Sequence, residues 1–304
     1  MPVIRRARSS PARDRGRPSG PRLERVVPFR FSAADRPPGH RDQRLYVDHV
    51  RALHRAAGAP DPTEDLGWLT GGPGVSYHDM VRVVVERLGD DLAGIDLVVT
   101  VDVGPDCRHQ SFPACLLGAA LPGDPLVLGI SEQGVAGPFT ALRIAHDQLR
   151  AGLRRRALVL VLEQSTLPPD SPGRPREDVA VALLLGDGTG PRLGRPEVDV
   201  VGRAVDAVPR QKAPHAVGPP RVSGPAPAPV AAPRRPGAGV WPALAHLMEH
   251  SGGRPRTADG RLVIAERDPV LPYACRVTLT WPAPAREPGP SAGLSAPSLP
   301  EPVA

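Results

Sequence analysis

Apolar residues along this chain recur with two different periods, and most of the regular pattern lies between residues 76 and 191. Ser76 precedes Asp79 by three residues and offers a capping box for a helix over Tyr77 to Leu88, with Met80, Val84 and Leu88 on one face and Gly89 ending it. Ile95 to Val101 is a β-branched run of strand length, continuous enough to be buried on both faces of a parallel sheet. Ser111 and Pro113 start a short helix through Ala120, since proline's missing N–H has no partner in a first turn. Leu126 to Ser131 follows as a strand. Pro138 to Leu153 is predicted as a helix with Ala141, Ile144, Ala145 and Leu149 on one face and Gly152 allowing it to stop. Arg156 to Glu163 and Val179 to Leu185 are two further strands, the last running into Gly186-Asp187-Gly188-Thr189-Gly190. No helical pattern separates these two, so that pair can be antiparallel. Val240 to His250 reads as a short helix, and Leu262 to Glu266 and Cys275 to Leu279 as strands.

Strands alternating with helices specify a layered α/β fold with a mostly parallel sheet and helices on its faces. Composition sets the outer limits. The 304 residues include 41 prolines and 32 glycines, concentrated at the start, from about Pro209 to Gly239, and after Trp281. The expected organisation is a disordered Arg/Pro-rich arm (1–22), an α/β half (23–204), a proline-rich linker (205–239), a remnant of a second half (240–281) and a disordered tail (282–304).

The net charge of +6 would raise nucleic acid as a partner, but the positive charge is almost all arginine in an Ala/Gly/Pro-rich chain, and aromatic residues make up only 3%. No nucleic acid and no membrane are expected. The N-terminus lacks the apolar run of a signal peptide, no stretch is long and apolar enough to span a bilayer, and three cysteines at unrelated spacings do not make a disulfide framework. A cytoplasmic location is the expectation.

The element order, with several local segments, resembles the ketosynthase III (3-oxoacyl-ACP synthase III) branch of the thiolase superfamily. Ile95 to Thr100 is similar to that family's "IDLIVV" strand, Phe112-Pro113-Ala114-Cys115 to its "FPS-A-A-C" helix start, Arg156 to Leu162 to its "ALVVG" strand, and Gly186 to Gly190 to its "GDGAG" turn. The match covers roughly 115 residues, and the ordered set is more specific than any one piece. It implies a thiolase-like fold whose second half is truncated, and a dimer.

In that family a cysteine at the start of the long helix accepts the acyl group, its pKa lowered by the helix N-terminus. Laid on the "AACAGF-x-x-AL" pattern, Ile130 to Leu142 puts Val135 at the nucleophile position, and a one-residue shift puts Gly134 there. The family's histidine and asparagine are missing too: the chain contains no asparagine, and Pro214-His215 resembles the "P-H-Q" turn only inside the proline-rich linker. Asp268-Pro269-Val270 stands near where the family has a glycine-rich turn.

No confident catalytic residue follows. Glu132, at the end of a strand where parallel sheets present their sites, is a candidate general base if partly buried, against a structural role at a subunit interface. Cys115 is a candidate thiol near a helix start, although a small buried hydrophobe is the simpler account. Cys107, beside Arg108 and His109, reads as a surface thiol. Neither a cofactor nor a metal is expected: His146-Asp147 and His246/His250 lack a third ligand. The Gly186–Gly190 turn lacks the ending of a phosphate loop. The function expected is a non-catalytic ketosynthase III-like subunit. It would bind an active ketosynthase, an acyl carrier protein or an acyl thioester such as acyl-CoA, in fatty-acid-like or polyketide biosynthesis, as a homodimer or a heterodimer. The alternative is an atypical acyltransferase acting on acyl thioesters without decarboxylative condensation.

Overall fold

The structure, a computed structural model, describes residues 20–35, 43–58, 74–104, 106–107, 112–165, 174–201, 221–223, 237–250, 260–268 and 270–282. Its strands are β1 (Arg22–Arg30), β2 (Leu97–Val103), β3 (Leu126–Ser131), β4 (Ala157–Glu163), β5 (Val179–Gly186), β6 (Arg192–Leu193), β7 (Glu197–Val200), β8 (Arg221–Ser223), β9 (Arg261–Arg267) and β10 (Tyr273–Thr280). Its helices are α1 (Gln43–Ala56), α2 (Tyr77–Leu88), α3 (Pro113–Ala120), α4 (Ala136–Arg150) and α5 (Trp241–His250).

Local chemistry places these elements much as the sequence indicates. The Ser76 hydroxyl accepts the Asp79 N–H at the start of α2, and Gly89 ends that helix at φ 46°. Pro113 opens α3. Helix α4 begins two residues before Pro138 and ends at Arg150, three residues earlier than predicted, with Gly152 just beyond it at φ 69°. The Gly186–Gly190 turn packs against β1. Gly188 donates its N–H to Glu24 Oε1 at 3.0 Å, and Gly190, at φ 116°, lies so close to the Leu23 carbonyl that no side chain fits there.

The strands form one sheet in the order β3-β2-β4-β5-β1-β6-β10-β9-β8, with β7 also pairing β10. Only β2 with β3 and β2 with β4 are parallel; all the other pairs among the described residues are antiparallel. The sheet is therefore mixed, and its parallel part is smaller than the sequence led us to expect. Helical crossovers that enforce parallel pairing occur only on the β2–β3–β4 side, and the later strands return beside their neighbours without them.

Strand β1, like the longer helix α1, is an element that the sequence did not announce. It lies between β5 and β6, and its first residue falls inside the stretch read as a disordered arm. Strand β8 falls inside the stretch read as a linker, where Val222 pairs with Ile264. The remainder of that linker up to 236, His215 included, lies outside the described residues, as do residues 1–19 and the tail from 283.

Strands β4 and β5 are buried along their whole length because both faces are covered. On one face Leu158, Leu160, Leu162, Ala180, Ala182 and Leu184 pack under α2 and α3. On the other, Val159, Val161, Val181 and Leu183 pack under α4 and α5 together with Leu262, Ile264, Val277 and Leu279 from β9 and β10. One sheet thus supplies apolar faces on both sides of α4 and α5. Phe139 of α4 and Trp241 of α5 meet at its centre, ring centroids 5.5 Å apart.

Among the described residues the second half repeats the first with fewer elements. Helix α4 leads into the antiparallel pair β4–β5 with β1 alongside, and α5 leads into the antiparallel pair β9–β10 with β6 alongside. The outer face differs. Strand β9 alternates strictly between exposed and buried positions, which marks a sheet with one face in water, whereas its counterpart β4 is buried on both.

Candidate functional site

Helix α4 starts where β3 ends, and two left-handed residues, Glu132 at φ 58° and Gly134 at φ 52°, make the sharp entry. Val135 is the N-cap residue of the helix, 5% exposed, with no side-chain cap of its own. Its N–H is one of the amides a helix start leaves without an internal partner. It donates instead to Asp268 Oδ2 at 2.9 Å, across 133 positions in sequence. The other oxygen of Asp268 accepts the N–H groups of Val270, at 2.8 Å, and Leu271, at 2.7 Å. Three backbone donors and the positive end of α4 therefore hold one buried carboxylate. A side chain at residue 134 would collide with that carboxylate, so Gly134 is required by space as well as by φ.

The other helix start is served the same way from the opposite half. Glu163, the last residue of β4 and fully buried, accepts the N–H groups of Gly237 and Ala238 in the turn entering α5, the latter at 2.7 Å. Gly237 sits against Val103 and Val161, which leaves no room for a side chain. Each half thus sends a carboxylate from the end of its strand, β4 or β9, to the helix owned by the other.

Glu266 of β9 lies between these two anions. Burial, then the charges of Glu163 and Asp268, raise its pKa well above the ordinary carboxylate value. Cys275, opposite Glu266 on β10, is pushed up to about 12, by burial first and then by Glu266, Asp268 and Asp199. The thiol nearest this carboxylate cluster is thereby kept protonated, which removes it as a nucleophile.

The sequence-derived candidates are scattered. Glu132 is exposed rather than partly buried, so water screens it from the work of a general base. Cys115 and Cys107 exchange the roles expected of them. Cys115, on the outward side of α3, is exposed, whereas Cys107 is 7% exposed, with its N–H on Gln164 Oε1 at 2.9 Å and its thiol 3.6 Å from the Gly74 carbonyl. The two cysteines are placed by different causes: α3 is a short helix that buries only Pro113 and Leu117, which leaves Cys115 outside, and Gln164 holds the loop after β2 inward, which buries Cys107. Cys115 belongs to the outer helix layer and Val135 to the inner one, with the sheet between. In the native state Cys115 should react with a thiol reagent at once and the other two only on unfolding. Mass spectrometry of a short iodoacetamide pulse counts them, and more than one fast adduct contradicts the burial of Cys107 and Cys275.

Of the histidine pairs, His146 is buried and contacts Asp147, whose carboxylate is engaged bidentately by Arg195 and is lowered by it. Among the described residues no three His, Cys, Asp or Glu side chains come together as metal ligands. Sequence reasoning also missed a buried network at the ends of β2 and β4. There Asp178 accepts from Val75 and Ser165, and Gln164 bridges Val75 and Asp106. Nothing in the local sequence marks these residues, because every partnership is long-range.

Asp102, at the carboxyl end of β2, is raised to about 6, by burial first and then by the charge of Asp106. The folded protein therefore keeps a proton that the unfolded chain releases above 3.8, so stability falls as pH rises from there through about 6. Asp102→Asn should stabilise the protein at pH 7.5 by about 2–3 kcal/mol and flatten that pH dependence. Urea melts at pH 5 and 7.5 check this.

No protein-family profile matches the sequence, and no curated protein does. Solved structures do match. The chain superposes on 3-oxoacyl-(acyl carrier protein) synthase III, FabH, of Xanthomonas oryzae pv. oryzae with a TM-score of 0.52 and 13% identity, covering 86% of this chain and 99% of that one. It superposes on OleA of Xanthomonas campestris with a TM-score of 0.50 and 12% identity, covering 86% and 98%. The fold is thiolase-like. At such identities the likeness extends to the fold and no further. The thiolase-like sheet and inner helix pair put Val135 and Asp268 together. Among the described residues no helix is long and apolar enough to cross a membrane.

Proposed function

We propose that this chain is a non-catalytic thiolase-like subunit that acts by binding, either to an active ketosynthase-type partner or to acyl thioesters and their carrier protein. The observation that carries this reading is the Asp268 carboxylate on the Val135 amide. Acyl transfer needs a nucleophile and donors aimed at the oxyanion that develops in the transition state. At the position that the resemblance assigns to the nucleophile stands an isopropyl group, and the amide beside it already serves a fixed anion. A second negative charge developing there would be repelled in a dry site, where Coulomb forces are least screened. A homodimeric or heterodimeric assembly, as the resemblance implies, is part of this proposal.

Incubation with acyl-CoA and acyl-carrier-protein thioesters, followed by intact-mass and native mass spectrometry, tests the proposal. The expected result is no covalent adduct together with a non-covalent complex with the carrier protein, the thioester or a ketosynthase. A stoichiometric acyl adduct, on Cys115 above all, would overturn it and favour the acyltransferase reading. Absence of every complex would overturn the binding role.

A further inference from the structure

The outer face of the second half, where the first half carries α2 and α3, instead carries a bowl of about 350 Å³. Its floor is Gly194 with Thr278 and Thr280 of β10, and its walls include Arg192, Arg195, Arg261 and Arg276. Strand pairing builds it: Thr280 lies directly opposite Arg192 on β6 and opposite Arg261 on β9, so two guanidinium groups flank one hydroxyl in a single row across the sheet. Gly194 keeps the centre open, and its N–H is spent on the Thr278 carbonyl at 2.8 Å. At the other wall Arg195 is held by Asp147 and Arg276 by Glu197, which fixes those two guanidinium groups in place. Arg192 has no ion-pair partner among the described residues. Arg261 is engaged in a contact of its own, so the positive charge left over in the lining is that of Arg192, beside Arg195 and Arg276 held by Asp147 and Glu197.

We propose that this bowl is a binding site for the phosphate groups of a small phosphorylated ligand, a diphosphate or a phosphate ester. Arginine forks are the protein's best match for phosphate oxygens, and threonine hydroxyls supply further donors on the floor. The volume lies at the small end of ligand pockets, so it suits a phosphate-sized anion and a modest substituent. Among the described residues no aromatic side chain lines it to stack on a base, so recognition rests on the phosphate itself. The site is on the opposite face of the sheet from Val135 and Asp268, and the inference does not depend on the function proposed above.

Isothermal titration of the full chain with inorganic pyrophosphate at low ionic strength is the test, with sulfate for comparison. Binding of pyrophosphate more tightly than sulfate is expected, weakened at least tenfold in Arg192→Ala/Arg261→Ala and weakened by a smaller factor in Thr280→Val. These side chains stand on an exposed sheet face, so the variants should fold, and circular dichroism verifies that they do. Absence of pyrophosphate binding overturns the proposal. So does binding unchanged in the double variant, which would place the anion elsewhere on an arginine-rich chain. Sedimentation with phosphatidylglycerol vesicles without pyrophosphate binding would assign the surface to a lipid headgroup instead and overturn it equally.

Discussion

Replacing Asp268 with alanine should cost about 3–5 kcal/mol of stability, because the N–H groups of Val135, Val270 and Leu271 lose their acceptor together. Each buried donor left unsatisfied costs about 1–3 kcal/mol, and the sum falls short of three full penalties because Val270 is 54% exposed and water can reach its amide. Asp268→Asn separates charge from hydrogen bonding. Its amide keeps one oxygen acceptor but turns an NH₂ toward either Val135 or the 270–271 pair, so an intermediate loss of about 1–3 kcal/mol is expected. Urea denaturation, read as a shift of midpoint at constant slope, measures both. A loss below about 1 kcal/mol in the alanine variant would mean that the carboxylate is not held as described. The same substitution removes one of the charges that raise Glu266, so the pKa of Glu266 should move back toward the ordinary range.

Trp241→Ala should be comparably damaging, at about 3–5 kcal/mol. The indole is 1% exposed, lies against Phe139, and donates its N–H to the Gly237 carbonyl at 3.0 Å. Truncation leaves a cavity between the two inner helices and frees the turn that presents the Gly237 and Ala238 amides to Glu163. Thermal melts with near-ultraviolet circular dichroism report the loss. Trp241→Phe, which fills most of the volume but lacks the donor, should recover more than half of it.

The inner strands were legible in the sequence because their chemistry is local. Val159 and Leu160 face opposite layers, both apolar, and only a continuous hydrophobic run satisfies that environment. The start of α2 was legible for the same reason, since Ser76 caps a helix three residues away. Strand β1 was not. Its sequence carries Arg22, Arg25, Arg30 and Pro28, and a register shift between Leu23 and Arg25 breaks the two-residue period by which strands are recognised. Its burial comes from β5, more than 150 residues later. The site divides along the same line. The sequence flagged Val135 through resemblance and named Asp268 only for its place near the family's glycine-rich turn, without a role, because its partner amide lies 133 positions away. The two cysteines were misjudged because burial of a single thiol is decided by packing that no local pattern encodes.

The exchange of carboxylates between halves has a thermodynamic consequence. Glu163 belongs to the first half and satisfies the helix of the second, while Asp268 belongs to the second and satisfies the helix of the first. Opening either half alone strands an anion in an apolar interior and orphans the amides it served, so partial unfolding carries most of the penalty of complete unfolding and little of its entropy gain. The second half should therefore have no independent melting transition: the slowest-exchanging amides of β4 and β9 are expected to share one opening free energy in native-state hydrogen exchange, and the two halves to unfold together.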